Sequence, residues 1–494
     1  MTTSPPRRVG LLVGNPFRDL PSQVLTAMRL CQEGATALLI PSYLQLYEVW
    51  TLAPDFLLLE NLRRDKKGLL RRLARAGIQA GVLDTEGGVF TDLESYSRKI
   101  LPHPELLRTL AGFYSWGPLV ARHLVAQSCL GDHQVAITGT PRMDLFTTPW
   151  RQAALRLDPE TERFPRPLVL INGNFNMANP WLRSLDETVL EYLADGHDRD
   201  TILRWMEIQR RAMTEFIALA RRLAARLPEV TFVYRPHPFE RPEPYQDQFQ
   251  GLHNLHLLKS GAIYPWILSA CAVVQRGSSS AIEATLAGVP ALAPSWVPCH
   301  LDLPSVEAVS LPCASEGELV DRLRSAAAGG LAIPAEVCSR LQGIISNWFC
   351  SGDGRSHERV AAAILEGSNG SGRVSIAECR RILEGVSGPR HRIRWRLRVR
   401  SWARGALGLP IQWSFRHWRD EPDLSWDHSQ CYFGAEQVRS IAEALEPAAR
   451  ALYGDGWRRV EVRRAEDQGE YRFGYSHGRS IALTVRAVPG SRTR

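Results

Sequence analysis

An arginine and a histidine alternate with prolines in Tyr234-Arg235-Pro236-His237-Pro238, directly behind the apolar run Val230-Thr231-Phe232-Val233. The β-branched and aromatic residues of that run predict a buried strand. The prolines end it, because they cannot continue a sheet ladder. Arg235 and His237 then stand at the carboxyl end of a strand, where open α/β sheets hold their ligands, and the prolines restrict the backbone around His237. A lone His-Pro pair is more simply a strand cap with a surface histidine, as at His103-Pro104. A second stretch raises this one above that reading. Arg276-Gly277-Ser278-Ser279-Ser280-Ala281-Ile282-Glu283 follows a strand pattern from Ala272 to Gln275 and opens a helical one. A glycine and three serines there offer N–H and hydroxyl donors at a positive helix end, which suits a phosphate, whereas an ordinary N-cap needs one serine. Glu283 complements the helix dipole or reaches a ribose hydroxyl.

Two further stretches carry candidate groups. Asp84-Thr85-Glu86-Gly87-Gly88 places two carboxylates after a strand, where either could serve as a base on an incoming hydroxyl, although acidic residues beside glycine also build ordinary turns. Asn172-Gly173-Asn174-Phe175-Asn176-Met177-Ala178-Asn179 follows another strand and offers short amides, with the plain turn as the alternative.

Elements that position these groups alternate along the chain. Strand patterns run from Arg8 to Val13, Ala35 to Pro41, Pro54 to Glu60, Ala80 to Leu83, Gly112 to Ser115 and Val135 to Gly139, with helical spacing between them. Such alternation predicts a parallel sheet covered by helices on both faces. Residues 146 to 166 are polar and proline-bearing, a linker. A second series then starts at Pro167 and includes a long amphipathic helix from about Asp200 to Leu227. The expected division is a first domain over 1–150, a second over 166–366, a Gly-Ser-Asn-rich linker over 367–388 and a basic, Trp-rich extension over 389–494.

The chain has 494 residues, enough for two or three full cores, with the ordinary 44% hydrophobic and 23% charged content of a globular protein. Its sequence shows neither a basic-then-apolar leader nor an apolar run of roughly 18 residues, so a cytoplasmic protein is expected. Nine scattered cysteines suggest neither a disulfide framework nor a zinc site. No metal and no cofactor is expected. Of the net charge of +8, Arg390 to Arg419 supplies nine arginines and no carboxylate, which leaves the rest near neutral.

These motifs together resemble GT-B glycosyltransferases, and more narrowly the bacterial surface carbohydrate biosynthesis proteins. The resemblance rests on Arg18-Asp19, Leu83-Asp84-Thr85-Glu86-Gly87, Trp116-Gly117, Ile137-Thr138-Gly139-Thr140-Pro141-Arg142-Met143-Asp144, the asparagine loop, Tyr234 to Pro238, Ile263-Tyr264-Pro265-Trp266 and Gly277 to Glu283. The set also looks like that of bacterial sialyl- and Kdo transferases, whose donors are CMP-linked acidic sugars. The resemblance implies an α/β fold of two Rossmann-like domains facing across a cleft. It implies Glu86 as base, His237 as a protonated, phosphate-facing acid, and Ser279 with Ser280 on the phosphate. Asn172, Asn174, Arg235, Gly277, Ser278 and Glu283 would complete the donor site. Thr85 stands where that motif has a second acid, so Asp84 stays an alternative base. No D-x-D pair is placed to hold a divalent metal against a diphosphate, which accords with metal-independent transfer from a CMP-sugar to a glycan or glycolipid acceptor. A UDP-sugar epimerase is the nearest enzymatic alternative.

From Arg390 to Arg400 arginine takes every second position, and Trp395, Trp402, Trp413, Phe415 and Trp418 are interleaved or follow. Guanidinium meets lipid phosphate while indole rests at the interface, so the expected partner is an anionic membrane surface, making the protein peripheral on the inner face of the cell membrane. Nucleic acid is the other polyanion this pattern suits, and a nucleic-acid-binding protein is the function outside the enzyme class.

Overall fold

β1 (Arg8–Val13), β2 (Thr36–Pro41) and β3 (Phe56–Leu59) are apolar almost throughout, and every one of their residues is buried. Only a parallel sheet covered on both faces accepts strands of that kind, and this is what they form in the computed structural model. It describes residues 7–42, 47–62, 66–100, 107–127, 130–181, 184–194, 196–259, 261–301, 303–367, 374–387, 433–472 and 480–485. β4 (Gln79–Val82), β5 (Gly112–Ser115) and β6 (Val135–Ile137) extend the same sheet in parallel.

The second sheet holds β7 (Leu168–Asn172), β8 (Thr231–Arg235), β9 (Leu255–Leu257), β10 (Ala272–Gln275), β11 (Ala291–Pro294) and β12 (Leu311–Cys313), in the order β12-β11-β10-β7-β8-β9. Counted within the domain this is the doubly wound order of a dinucleotide-binding fold, and its winding reverses between β7 and β10. The loops leaving those two strands are the asparagine loop and the Gly-Ser loop. Arg199–Arg226 forms the long helix, capped by Asp198, whose side chain accepts from the Thr201 N–H.

The carboxyl-terminal part of the chain departs from the expected separate extension. β13 (Val460–Arg464) and β14 (Ile481–Val485) join the first sheet, whose order is β13-β14-β2-β1-β3-β4-β5-β6. β14 runs antiparallel to β2, with Ile481 opposite Leu39 and Leu483 opposite Ala37. The apolar half of β14 covers what would otherwise be an unpaired edge of β2, while β13 ends on exposed Arg463 and Arg464, which blunt the new edge. The helix Ala435–Tyr453 lies on the first helix, Pro16–Gln32, so these late elements share the first domain's core.

Residues 335–387 also return to the first domain. Ala335–Trp348 straddles both domains, Ser356–Gly367 packs on the first helix and β5, and Ile376–Ser387 packs on Tyr47–Leu52 and Lys67–Ala76. Thus part of the expected 367–388 linker is helical, and the second domain is inserted into the first. A buried polar knot pins the return. Asp144 accepts from the backbone N–H of Ser356 at 3.0 Å and of His357 at 2.9 Å, and lies 2.8 Å from His357 Nδ1. His357 Nε2 meets the Tyr453 hydroxyl at 2.6 Å, which itself donates to Glu358. The arginine segment from Arg390 to Trp418 lies outside the described residues. No helix among them is long and apolar enough to cross a membrane.

Candidate functional site

At the switch point the two loops are stitched to each other. Asn172 donates its amide to Ser280 Oγ at 2.9 Å, and Asn174 donates to the Gly277 carbonyl at 3.0 Å. Ser278 and Ser280 share a hydroxyl contact at 2.9 Å, and the Ser278 N–H is held by Gln275 at 2.9 Å. Gly277 has φ +69°, and a Cβ there would come within 2.6 Å of Cys299 Sγ, so both conformation and space require glycine. Asn172 Oδ1 is buried and has no partner among the described residues. Ser279 stands on the same crest, partly exposed.

β8 delivers its two candidates to different places. The Arg235 guanidinium is buried, donating to the Gly261 carbonyl at 2.7 Å and lying over the Trp266 ring. That leaves it off the crest, bracing the turn. His237 is half-buried and faces the cleft. Its Nδ1 accepts the Phe239 N–H at 3.2 Å, which puts the ring proton on Nε2. Desolvation lowers its pKa to about 4, against the opposing pull of Glu86. In the unliganded protein the imidazole is therefore neutral at pH 7, because burial outweighs the nearby carboxylate.

Glu240 is a residue the sequence reading passed over. It is fully buried; Oε1 accepts the N–H of Phe175 at 2.7 Å and of His237 at 3.0 Å, and Oε2 accepts from the Tyr245 hydroxyl. One carboxyl thus ties the asparagine loop to the His-Pro turn. Burial raises its pKa to about 7 despite those donors. The signal available was its place three residues after His237, the spacing at which a side chain reaches back to a turn's N–H.

The first domain supplies the opposite wall. Asp84 is buried, accepting the Glu86 N–H at 2.9 Å through Oδ1 and the Tyr96 hydroxyl at 3.3 Å through Oδ2. It shapes the turn, while the Glu86 side chain is 56% exposed. Arg18 reaches Glu86 at 3.4 Å, Thr85 Oγ1 at 2.9 Å and Asp19 at 2.7 Å. The chain also bridges the cleft directly: Tyr264 donates to the Arg18 carbonyl, and Arg142 pairs with buried Glu283. Glu283 is therefore turned to the first domain, its pKa raised by burial and pulled back by Arg142. Arg18 and Arg142 stand inside motifs already noted, but their roles depend on the other domain. Among the described residues no group of three or more His, Cys, Asp or Glu is placed to hold a metal ion.

Two Rossmann-like sheets whose strand ends line one cleft define a GT-B-type two-domain α/β protein. No family model matches the sequence, and no curated protein matches it. Among solved structures it is similar to Staphylococcus aureus MnaA with UDP (14% identity, TM-score 0.45, 72% of this chain and 94% of that one). It is also similar to UDP-GlcNAc 2-epimerase from Neisseria meningitidis bound to UDP-GlcNAc (14%, 0.42, 73% and 100%). A third is the wall teichoic acid polymerase TagF (9%, 0.46, 74% and 90%).

Proposed function

We propose that this protein is an enzyme that transfers a sugar from a nucleotide-sugar donor to a glycan or glycolipid acceptor, with CMP the favoured nucleotide. The observation that carries this reading is the pairing of a Gly-Ser loop at the switch point and a histidine on one domain with an exposed carboxylate, Glu86, on the other.

In this mechanism the donor's phosphate lies against Ser278, Ser279, Ser280, Asn174 and the Gly277 loop. His237 donates its Nε2–H to a phosphate oxygen. As the acceptor hydroxyl attacks the anomeric carbon, its proton passes to Glu86, the sugar–phosphate C–O bond breaks, and the electron pair leaves on the phosphate. Phosphate charge beside His237 favours the imidazolium: on binding, a proton from solvent lands on Nδ1, which gives up the Phe239 N–H, and the Nε2 proton is then free to pass to the departing phosphate. The acceptor loses its proton to Glu86 and the nucleotide leaves neutralised. Glu283 reaches the ribose once the cleft opens and Arg142 lets it go.

Calorimetry with CMP, UDP and GDP tests the reading; micromolar CMP binding lost in His237→Ala is expected, and no binding of any nucleotide would overturn it. Epimerisation of a UDP-sugar is the second reading, favoured by the tightness of the cleft, in which the Arg142–Glu283 pair and the Tyr264–Arg18 contact leave little room for a second substrate. UDP binding in preference to CMP, with inversion at C2 of UDP-GlcNAc followed by NMR, would select it.

A further inference from the structure

Three buried polar atoms without a partner among the described residues belong to side chains that line one cavity of the first domain. They are Oε1 of Gln23 on the first helix, Nε1 of Trp116 behind β5 and Nε of Arg142 behind β6. Their side chains line the cavity together with Asp19, Asp84 and Thr85. Gln23 and Trp116 are 6% and 5% exposed. Native interiors rarely leave such groups unmatched, and three around one space call for a common partner.

Their chemistry states what that partner is. Two N–H groups require an acceptor and one amide oxygen requires a donor, a combination that a hydroxyl supplies. An ionised phosphate or carboxylate cannot donate to Gln23, and it would meet the carboxylates of Asp19 and Asp84. The cavity measures about 20 Å³, room for one hydroxyl-sized group. Thr85 forms part of its wall, and Arg18 reaches both Thr85 Oγ1 and the Glu86 carboxylate, so the cavity lies on the Glu86 side of the first domain.

We propose that this cavity is a sugar-hydroxyl subsite that anchors the edge of a neutral, hydroxyl-rich ring beside Glu86. As the acceptor's seat it rests on the transfer reading above; as a hydroxyl site it stands apart from it. Saturation-transfer NMR on the full chain, with methyl glycosides of galactose, glucose and N-acetylglucosamine as probes, tests it. Transfer to at least one glycoside is expected in the parent protein, and a roughly fivefold weaker affinity in Gln23→Leu and in Trp116→Phe, the factor for one lost hydrogen bond. Unchanged melting temperatures show that both variants fold, and unchanged nucleotide calorimetry shows that the donor side is intact. Equal transfer in parent and variants, or no transfer in any, overturns the proposal. Glycoside binding without nucleotide binding refutes the transfer reading alone.

Discussion

At His237 the chemistry turns on which nitrogen holds the proton and when a second one arrives. The Phe239 N–H occupies Nδ1, so Nε2 is the donor aimed into the cleft. With the native pKa lowered to about 4 by desolvation and the unfolded value near 6.5, the unfolded chain binds the proton first. The contribution of this group to stability is therefore full above pH 6.5 and is lost as pH falls towards 4. His237→Gln should flatten that part of a melting-temperature profile. Nucleotide binding near pH 5.5 should take up a proton, measured by calorimetry in buffers of different ionisation enthalpy, and His237→Asn should abolish the uptake. Glu86→Gln should lower kcat by about 10²- to 10⁴-fold with little change in donor affinity, whereas Asp84→Asn should act chiefly through stability, because Asp84 is buried in the turn. The sequence ranked His237 above Arg235, for which bracing the turn was the simpler role, but left Asp84 as an alternative to Glu86. Each pair is adjacent or nearly so in the chain, and what divides them is which side of the strand end they leave, a matter of packing rather than residue type.

Elements were far more legible than their partners. β1, β5 and β10 have the bounds expected from their apolar runs and flanking turns, and the long helix differs by one residue at each end. The pairing of β14 with β2 was not legible, because alternation says that a segment is a strand and not which edge, more than four hundred residues earlier, it will cover. Removing residues 433–494 should bare the β2 edge and produce aggregation, visible as a shift of the parent's elution peak to the void volume on size-exclusion chromatography. Glu240 is the other element-level joint. Because its pKa is raised to about 7 from 4.5, the native state holds the proton more tightly than the unfolded chain, and stability falls as pH rises from 4.5 to 7. Glu240→Gln keeps an oxygen for both N–H groups and should melt higher than the parent at pH 8 but alike at pH 4. Glu240→Ala, which frees both loops, should melt lower at either pH.

For the molecule as a whole, the cleft is spanned by Arg142–Glu283 and by Tyr264 on the Arg18 carbonyl. Each is one half-site from either domain, and neither half reveals the other in sequence. Combining Arg142→Gln with Tyr264→Phe should widen the unliganded protein, seen as a larger radius of gyration in small-angle scattering. Membrane binding is tested best without truncation, since the strands that follow the arginine segment belong to the first domain. Changing the arginines from Arg390 to Arg400 to glutamine should abolish sedimentation with phosphatidylserine vesicles at low salt, and the same vesicles should lose the parent protein as salt is raised.

The insertion of one domain within the other sets an order of assembly. On the ribosome the second domain has all six of its strands once Cys313 has emerged, while the first still waits for β14. Until then β2 is an open template for any passing strand. The second domain thus matures before the first is sealed, so conditions that slow synthesis of residues 433–485 should expose this chain to misassembly more than equal delays elsewhere. Among the described residues the same route leaves two chain crossings between the halves. Two pivots define an axis, so opening is a swing, as of a door, rather than a free swivel.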